Sequence, residues 1–361
     1  MKKLIMSLLI ILALPAYALE VIFINPSYKG SPFWDQVTSI ANASANNLNI
    51  SLNTIYSGGH RLLQKDQISN IIAQSNKPDY LIFMPYDGTA LETFNKLEQA
   101  ELPFVTLERT LFPDLQVKLG QPKQYFKFWL GEIYHDNKLA GRLLAQALIK
   151  ASRNKQTKTK GLNVVGISGD MSGHSSERNA GLVEELEHDT EYALAQIVNA
   201  RWESKVAGEM FTGLLRRYQD IKIVWTAADI MALGVTDVAI KEGKTINENL
   251  FVGGFDWTIE GLSAIEKNLY TASIGGHFMQ TAWALIKLYD HSNGRQAFVN
   301  TTDKPTYQLQ LIDRSNIDRY RILFNNPDWS KVNFRQFSLI HQKEQSHYQF
   351  DFSAILSDLN R

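Results

Sequence analysis

The chain has 361 residues, in which 37 lysine and arginine side chains balance 37 aspartate and glutamate side chains; this balance excludes the basic footprint of a protein that binds nucleic acid or an anionic membrane surface. The length is greater than a single compact core usually reaches, and it predicts two lobes. Cysteine is absent, which excludes a disulfide framework, a thiolate metal site and a cysteine that could carry a lipid.

The first 18 residues have the pattern of a secretory signal peptide. Lys2 and Lys3 precede an apolar run at residues 4–14, and Ala16 and Ala18 form a cleavage site of the A-x-A type. The run is shorter than the roughly 20 residues that a membrane-spanning helix needs. Cleavage after Ala18 removes Lys2 and Lys3 and leaves 35 basic and 37 acidic side chains, a formal charge of −2. We therefore expect an exported protein in the periplasm, or alternatively outside the cell, with no membrane-inserted segment after cleavage.

Residues 21–34 join an unbroken apolar run to a polar turn and then to a helix that opens with two aromatic side chains. Such a run is typical of a strand that is buried in a parallel sheet. Ligands of open α/β sheets bind beyond the carboxyl ends of the strands, so the pattern places a binding crevice at residues 25–34. Phe33 and Trp34 are candidates for a stacking platform. Ordinary packing of the helix on the sheet is the alternative, and for the strand-turn-helix pattern alone it is the more common one.

Strand and helix patterns then alternate with the regularity of parallel βαβ units, which predicts one doubly wound lobe followed by a second. The further predicted strands are residues 50–56, 80–84, 103–107, 128–131, 163–168, 192–198, 221–226, 250–254, 272–274 and 307–312. The predicted helices are residues 60–74, 89–100, 136–150 with Asp136 as the cap, 178–186, 206–217, 230–242 and 277–289. Residues 109–128 are predicted to be a surface excursion, and residues 152–161 a basic loop.

Familiar motifs of catalysis and metal binding do not occur in the sequence. The GISGD segment at residues 166–170 matches neither the dinucleotide fingerprint nor a Walker A loop and is more typical of a tight turn. The eight histidines include no HExxH motif and no close pair at metal-binding spacing, and there is no G-x-S-x-G elbow. Catalysis therefore has no positive support, and no cofactor or metal is expected.

Charged residues follow the predicted strands in both halves of the chain. They are Glu108, Arg109, Arg178, Asp229 and Asp256. Because the carboxyl ends of parallel strands meet at one edge of a sheet, these side chains would converge on one cleft. Each of them alone is more often a helix cap or a surface charge. Their shared position relative to the strands favours a binding site.

Four segments resemble periplasmic sugar-binding proteins of the ribose-binding type, the group related to the ligand domains of LacI-type repressors. The segments are SPFW at 31–34, FVTLER at 104–109, DIMALG at 229–234 and VGGFD at 252–256. The resemblance covers residues 19–312. It implies the α/β fold of a type I periplasmic binding protein, in which a three-stranded hinge joins two doubly wound, Rossmann-like lobes. A signal peptide, and no DNA-binding headpiece, precedes Val21, so we expect a binding protein and not a repressor.

The resemblance implies that Phe33 and Trp34 stack on one face of a sugar ring and that Trp202 covers the other. Stacking suits sugars because axial C–H groups meet the aromatic face while the hydroxyls remain free for polar partners. His277 falls where the family places a polar hinge residue that touches the ligand.

The same resemblance implies that Glu108 and Arg109 bind ligand hydroxyls from the first lobe, and that Arg178 and Asp256 do so from the second. Charge-assisted hydrogen bonds of this kind are roughly twice as strong as neutral ones. Asp229 lies in the family motif and at a strand end, and it completes the predicted set.

Two departures from the family pattern change the expected ligand. Ala228 stands where the family usually has an asparagine, so one amide is missing and ribose itself is not expected. The opening turn is longer than usual, and Asn25, with Ser27, Tyr28 and Lys29, is a candidate to supply replacement contacts. Lengthened turns and C-terminal extensions also occur in sensory relatives, including the autoinducer-2 binding protein that regulates a membrane kinase.

The lobe boundaries follow from these assignments. We predict an N-terminal lobe at residues 19–130 and 277–303, a C-terminal lobe at 131–276 and 304–315, and a docked C-terminal extension at 316–361, after a signal peptide at 1–18. The chain would cross between the lobes near residues 128–136, 273–279 and 301–304.

The expected function is binding without chemistry. The protein would close on a small polyhydroxylated ligand by hinge motion and deliver it, as a monomer, to an ABC-type permease of the inner membrane. One alternative is a co-receptor for a membrane sensor kinase or cyclase, which the C-terminal extension motivates. Another is an exported enzyme that uses Glu108 and Asp256 as a carboxylate pair; the resemblance disfavours it, because those groups would accept hydrogen bonds from hydroxyls.

Overall fold

The computed structural model describes residues 18–155, 161–187, 189–298 and 305–361. Residues 1–17 of the predicted signal peptide, part of the predicted basic loop, and the predicted crossing near 301–304 lie outside the described residues. Within the described ranges, no helix has both the length and the apolar composition that crossing a bilayer requires.

The first sheet has five strands, all paired in parallel. They are β1 (Leu19–Asn25), β2 (Ile50–Tyr56), β3 (Tyr80–Phe83), β4 (Phe104–Leu107) and β5 (Trp129–Ile133), in the spatial order β2-β1-β3-β4-β5. The opening apolar run is buried on both faces, since Val21 and Phe23 belong to one hydrophobic cluster and Ile22 and Ile24 to another. A parallel sheet that is covered on both faces therefore forms the core of the first lobe.

Helices cover both faces of this sheet. One face carries α1 (Pro32–Leu48) and α10 (Gln280–Ser292), and the other carries α2 (Arg61–Ile72), α3 (Ala90–Gln99) and α4 (Pro113–Leu119). The prediction of a surface excursion at residues 109–128 is wrong. This segment contains α4, and its Leu111, Leu119 and Phe126 side chains are buried in the cluster beneath α3. The prolines and glycine of the segment therefore delimit a short helix that completes the core.

The second sheet has six strands. They are β6 (Leu162–Ser168), β7 (Tyr192–Asn199), β8 (Ile221–Thr226), β9 (Phe251–Asp256), β10 (Ala272–Gly275) and β11 (Gln310–Asp313), in the spatial order β11-β10-β9-β8-β6-β7. Only β11 is antiparallel to its neighbour among the described strands of this sheet. Since β6 pairs with both β7 and β8, the strand order reverses there, which opens the crevice typical of ligand sites in such sheets.

Five helices belong to the described part of the second lobe. They are α5 (Asn137–Arg153), α6 (Gly173–Leu186), α7 (Ser204–Arg217), α8 (Asp229–Lys241) and α9 (Ile259–Glu266). Asp136 caps α5 as predicted, and its carboxylate accepts a hydrogen bond of 2.8 Å from the Leu139 backbone N–H. α6 begins earlier than predicted, and α9 was not predicted. α5 and α6 cross closely because Gly141 and Gly181 have no side chains; a Cβ on either would overlap the backbone of the other helix.

The connections between the lobes lie side by side. After β5 the chain passes through Tyr134 and His135 into α5, and residues 305–309 return beside them into β11. The Thr306 backbone N–H donates to the Tyr134 carbonyl over 2.8 Å, and the Tyr307 hydroxyl lies 3.2 Å from Nδ1 of His135. A third connection follows β10 at Gly276. This arrangement is the three-stranded hinge of the expected fold class.

The C-terminal extension contacts both lobes. It consists of α11 (Phe352–Leu359) and of three short 3-10 segments at Ile317–Phe324, Trp329–Lys331 and Phe334–Phe337. The first segment packs on α9 of the second lobe, and the other two pack on α1 of the first lobe. At the hinge the extension completes an aromatic group, which we call the hinge cluster: Trp257, Phe278, Tyr320, Trp329 and Phe352.

Asp290 of α10 fastens the middle of the extension to the first lobe. Its buried carboxylate accepts hydrogen bonds from the Leu339 backbone N–H over 2.7 Å, from the Tyr348 hydroxyl over 2.9 Å, and from the Ser338 hydroxyl. We predict that Asp290→Ala lowers the free energy of unfolding by about 2–4 kcal/mol, because three donors, two of them buried, lose their acceptor. Urea unfolding measures the change.

Asp318→Ala is the matched control on the extension, since 85% of the Asp318 side chain is exposed. This control should change the unfolding free energy by less than about 0.5 kcal/mol. Equal effects of the two substitutions would show that Asp290 does not hold the extension.

Candidate functional site

A cavity of about 660 Å³ lies between the two lobes, where the carboxyl ends of both sheets face each other. Seven of the ten predicted site residues line it: Phe33, Trp34, Glu108, Arg178, Trp202, Asp256 and His277. Tyr86, Asp170 and His174 also line the cavity, although they were not predicted from the sequence. Asp170 and His174 follow β6 just as the predicted residues follow their strands, so the same positional signal could have found them.

Three of the predicted site residues, Asn25, Arg109 and Asp229, do not line the cavity. Their side chains bind other groups of the protein instead. The Asn25 amide donates to the Thr38 hydroxyl over 3.0 Å and accepts from the Ser27 backbone N–H over 2.9 Å, which fixes the opening turn. We therefore do not propose that these three residues contact the ligand.

Asp229 and Arg109 have structural partners of their own. The buried Asp229 carboxylate accepts from the Tyr270 hydroxyl over 2.8 Å and from the Ser273 hydroxyl over 2.7 Å. Arg109 donates to Glu132 over 2.8 Å, and its guanidinium carbon lies 3.3 Å from the ring centre of Tyr134. Asp229 thus fixes the first turn of α8, and Arg109 packs on Tyr134 in the connection between β5 and α5.

Three strand ends that supply cavity residues share an unusual backbone. Consecutive non-glycine residues have positive φ at Glu108 (72°) and Arg109 (49°), at Arg201 (53°) and Trp202 (60°), and at Asp256 (109°) and Trp257 (56°). Such conformations cost roughly 1–3 kcal/mol each and persist where the surrounding packing enforces them. Their positions after β4, β7 and β9 place the strain at the edge of the cavity, as is common for functional sites.

Aromatic rings form opposite walls of the cavity. On the first-lobe side, the rings of Phe33 and Trp34 meet edge to face with their centroids 5.2 Å apart, and Phe33 lies 4.6 Å from His277. On the second-lobe side, Trp202 stacks on His174 at 5.5 Å with an interplanar angle of 8°. A Cβ at position 169 would overlap the Trp202 ring, so Gly169 is required for this placement.

Arg178 is buried and held by its own lobe. Its Nε donates to Oδ1 of Asn137 over 2.8 Å, Nη1 donates to the Ala227 carbonyl over 2.9 Å, and the guanidinium lies 4.5 Å from the ring centre of Phe255. Its Nη2 lies 4.0 Å from Oε2 of Glu108, which belongs to the other lobe. Arg178 therefore presents one rigid donor edge towards the cavity.

Glu108 is an acceptor whose capacity is largely unused. Burial raises its pKa to about 7, although the positive charge of Arg178 opposes the shift. Its Oε1 atom has no hydrogen-bond partner among the described residues. Because an unpartnered buried acceptor is costly, a donor supplied by a ligand would be strongly favoured at this position.

Asp256 of the second lobe and His277, which leads into α10 of the first lobe, form a contact of 3.2 Å. Burial raises the pKa of Asp256, against the influence of Arg178. Burial, together with the charges of Arg178 and His174, holds the pKa of His277 well below its usual range, and burial lowers the pKa of His174 to about 4. Both imidazoles are therefore neutral at neutral pH, and each can donate one hydrogen bond and accept another.

The site thus combines apolar ring faces with a dense set of acceptors and donors. Glu108, Asp170 and Asp256 supply carboxylates, and Arg178 supplies the donor edge. In the part of the chain that the structure describes, no group of three or more acidic or histidine side chains is arranged to hold a metal ion. Chemically, this arrangement suits a small ring that carries many hydroxyl groups.

The chain matches the model of the periplasmic binding protein domain over residues 21–296 and therefore belongs to that family. Among solved structures, a periplasmic sugar-binding protein from Pseudomonas fluorescens is similar to it, with a TM-score of 0.80 and 22% identity over 95% of this chain and 100% of that one. A search of curated proteins returned no match. The resemblance to type I periplasmic binding proteins and the predicted fold class are both confirmed.

Two further solved structures share the fold at a TM-score of 0.72. One is a galactofuranose binding protein, which is 17% identical over 85% of this chain and 99% of that one. The other is an ABC transporter periplasmic solute binding protein from Actinobacillus succinogenes, which is 18% identical over 83% of this chain and 99% of that one. The common architecture is the two-lobed α/β fold with a cleft between the lobes.

The raised pKa values predict how stability depends on pH. The folded chain holds protons on Glu108, with a pKa of about 7, and on Asp256, whereas the unfolded chain releases them near pH 4. The contribution of these two carboxyl groups to stability is therefore fully present below about pH 4 and is lost as the pH rises from about 4 to about 7. We expect Glu108→Gln to remove roughly 1–3 kcal/mol of this pH dependence.

Urea unfolding of the ligand-free protein at about pH 5 and pH 8 measures the effect. Glu209→Gln, at a position whose side chain is 60% exposed, is the control and should keep the wild-type slope. An unchanged slope in Glu108→Gln would contradict the assigned pKa.

Proposed function

We propose that the protein binds one small polyhydroxylated, sugar-like ligand in the cavity and closes on it by rotation of the lobes about the hinge. The observation that carries this proposal is the placement of Glu108 and Arg178, from opposite lobes, between the aromatic walls formed by Trp34 and Trp202. The walls suit the C–H faces of a sugar ring, and the charged groups suit its hydroxyls. Closure is then a population shift towards the form in which both lobes contact the ligand.

The names of structurally similar proteins support the choice of ligand class. They describe a galactofuranose binding protein and solute binding proteins with bound D-allose, alpha-D-tagatopyranose and myo-inositol. All four are small polyhydroxylated molecules that can form a single ring. A cavity of about 660 Å³ accommodates a ligand of this size together with ordered water.

We further propose that the exported protein acts in the periplasm and delivers its ligand to an ABC-type permease of the inner membrane, without catalysis or a cofactor. Several similar structures carry the name of ABC transporter solute binding protein. A co-receptor for a membrane sensor kinase or cyclase is the second candidate. The C-terminal extension favours it, because a segment that contacts both lobes changes its surface when the lobes rotate.

A thermal-shift screen of residues 19–361 tests ligand binding directly. The panel contains D-galactose, D-allose, D-tagatose, D-arabinose and myo-inositol. A ligand at about 1,000 times its dissociation constant adds about 4 kcal/mol of stability and raises the unfolding midpoint by several degrees. We expect Trp202→Ala to weaken the best ligand more than about tenfold, because the second-lobe wall is lost.

Arg361→Ala, whose side chain is 76% exposed and far along the extension, is the control and should bind like wild type. Wild-type affinity in Trp202→Ala would remove this residue from the site. A panel without any shift, for a protein that mass spectrometry shows to be empty, would contradict the sugar-binding proposal.

Ligand affinity is expected to rise with pH between about pH 6 and pH 8. Hydroxyl donors stabilise the ionised form of Glu108, whose pKa is about 7 in the empty site, so binding must lower this pKa and release protons. Titration calorimetry in two buffers with different ionisation enthalpies measures the released protons. Glu108→Gln should bind more weakly and with a smaller pH dependence, whereas net proton uptake by the wild type would refute the assigned role.

A further inference from the structure

We propose that a direct contact between the lobes, which forms without a ligand, stabilises the closed form and populates it in part of the ligand-free protein. This contact, which we call the closure contact, joins residues 108–111 of the first lobe to the N-terminal half of α6 in the second. The inference rests on the proposed closing motion. Gly173 and Thr110 are its central positioning residues, and neither is assigned to the ligand.

The two segments meet in register and run in opposite directions. Glu108 faces Arg178 across 4.0 Å. At the other end, the backbone N–H of Gly173 donates to the carbonyl of Thr110 over 2.8 Å. Between these ends, Arg109 lies near the half-buried Glu177: burial raises the pKa of Glu177 to about 6, and the Arg109 charge opposes the shift. Glu108 and Thr110 thus contact one helix at two points, and the charge of Arg109 acts on Glu177 between them.

The hydrogen bond of Gly173 uses a donor that the helix itself cannot satisfy. Gly173 is the first residue of α6, and the first N–H groups of a helix have no acceptor within it. In the closed form the carbonyl of Thr110 fills this role. In an open form both groups would form hydrogen bonds with water. The bond between them therefore stabilises the closed form and is not needed for the fold of either lobe.

Each side of the closure contact is fixed by its own lobe before the lobes meet. The Thr110 hydroxyl donates to the Pro85 carbonyl, and the Phe112 backbone N–H donates to the Asp87 carboxylate over 2.8 Å. Opposite them, α6 packs closely on α5 through Gly181. Little conformational entropy is lost on contact, because both surfaces are preformed.

Gly173 sets the distance at which the lobes can meet. A Cβ at this position would overlap the carbonyl oxygens of Thr110 and Leu111, and its three nearest atoms all belong to the first lobe. Alanine is compatible with an α-helix. Gly173→Ala therefore leaves α6 intact and obstructs only the closed form, which makes it a selective test of the closure contact.

The closure contact also explains why Arg109 does not line the cavity. The sequence motif pointed to ligand binding, yet the side chain donates to Glu132 of its own lobe and lies outside the cavity wall, and its charge opposes the rise in the pKa of Glu177 in the other lobe. Its position suits closure better than recognition. The apparent affinity for a ligand falls by the same factor as the population of the closed form, so residues of the closure contact act on affinity at a distance.

The distance between the lobes is the decisive measurement. Because the chain contains no cysteine, spin labels can be attached at Val117→Cys, a position that is 79% exposed, and at Lys205→Cys, where 88% of the side chain is exposed. Pulsed electron paramagnetic resonance of the ligand-free protein should show a short-distance population. Gly173→Ala should reduce that population at least about tenfold and weaken the best sugar of the panel by a similar factor.

Gly213→Ala is the matched control, because no described atom lies within 4 Å of the Cβ that it would introduce in α7. It should keep the wild-type distances and affinity, and neither substitution should lower the urea midpoint of the ligand-free protein. Identical distance distributions in wild type and Gly173→Ala would overturn the inference. If no panel sugar binds the wild type, the sugar-binding proposal fails, while the distances still decide the closure contact.

Discussion

The burial of one guanidinium, that of Arg178, is the constraint on which the arrangement of the cleft depends. A buried charge is tolerated only when hydrogen bonds and opposite charges surround it. The Asn137 amide and the Ala227 carbonyl satisfy two of its edges within the second lobe, and Glu108 faces the third from the first lobe. The glycine-mediated crossing of α5 and α6 brings these groups together. The packing of α5 on α6 therefore positions Arg178 so that its charge faces Glu108 across the cleft.

The same constraint explains why the site is costly to the fold. Glu108 and Asp256 are buried with raised pKa values, and several residues around them adopt left-handed backbone conformations. Each of these features is costly in the ligand-free protein. They hold carboxylate acceptors in buried positions, where the hydroxyl groups of the proposed ligand would satisfy them.

Much of this architecture follows from local sequence patterns. The apolar runs predicted the strands of both sheets, and the charged residues after strands predicted Glu108, Arg178 and Asp256 of the cavity wall. Side-chain direction could not be predicted in the same way. Glu108 and Arg109 are neighbours in one left-handed turn, and only the first faces the cavity. The direction depends on backbone angles and on the distant partners Glu132 and Tyr134, which no local pattern reveals.

Other differences have a similar physical origin. The first turn of α6 contains glycine, histidine and serines, which favour a helix only weakly, and tertiary contacts extend the helix to Gly173. The extension lacks a clean period because its aromatic side chains fill gaps between existing helices, one at a time. The shape of the two folded lobes determines this packing, so it cannot be predicted from local sequence patterns.

The hinge cluster has a consequence for the order in which the protein can assemble during synthesis. The first sheet is complete by Ile133, but α10, which covers one of its faces, follows strands β6 to β10 of the second lobe in the chain. Trp257 and Phe278 are then fully covered only after Tyr320, Trp329 and Phe352 have emerged. Neither lobe is therefore a continuous folding unit, and the nascent chain exposes apolar surface for most of its elongation. Long-range contacts of this kind slow folding, and the hinge cluster is complete only when the segment around Phe352 has packed.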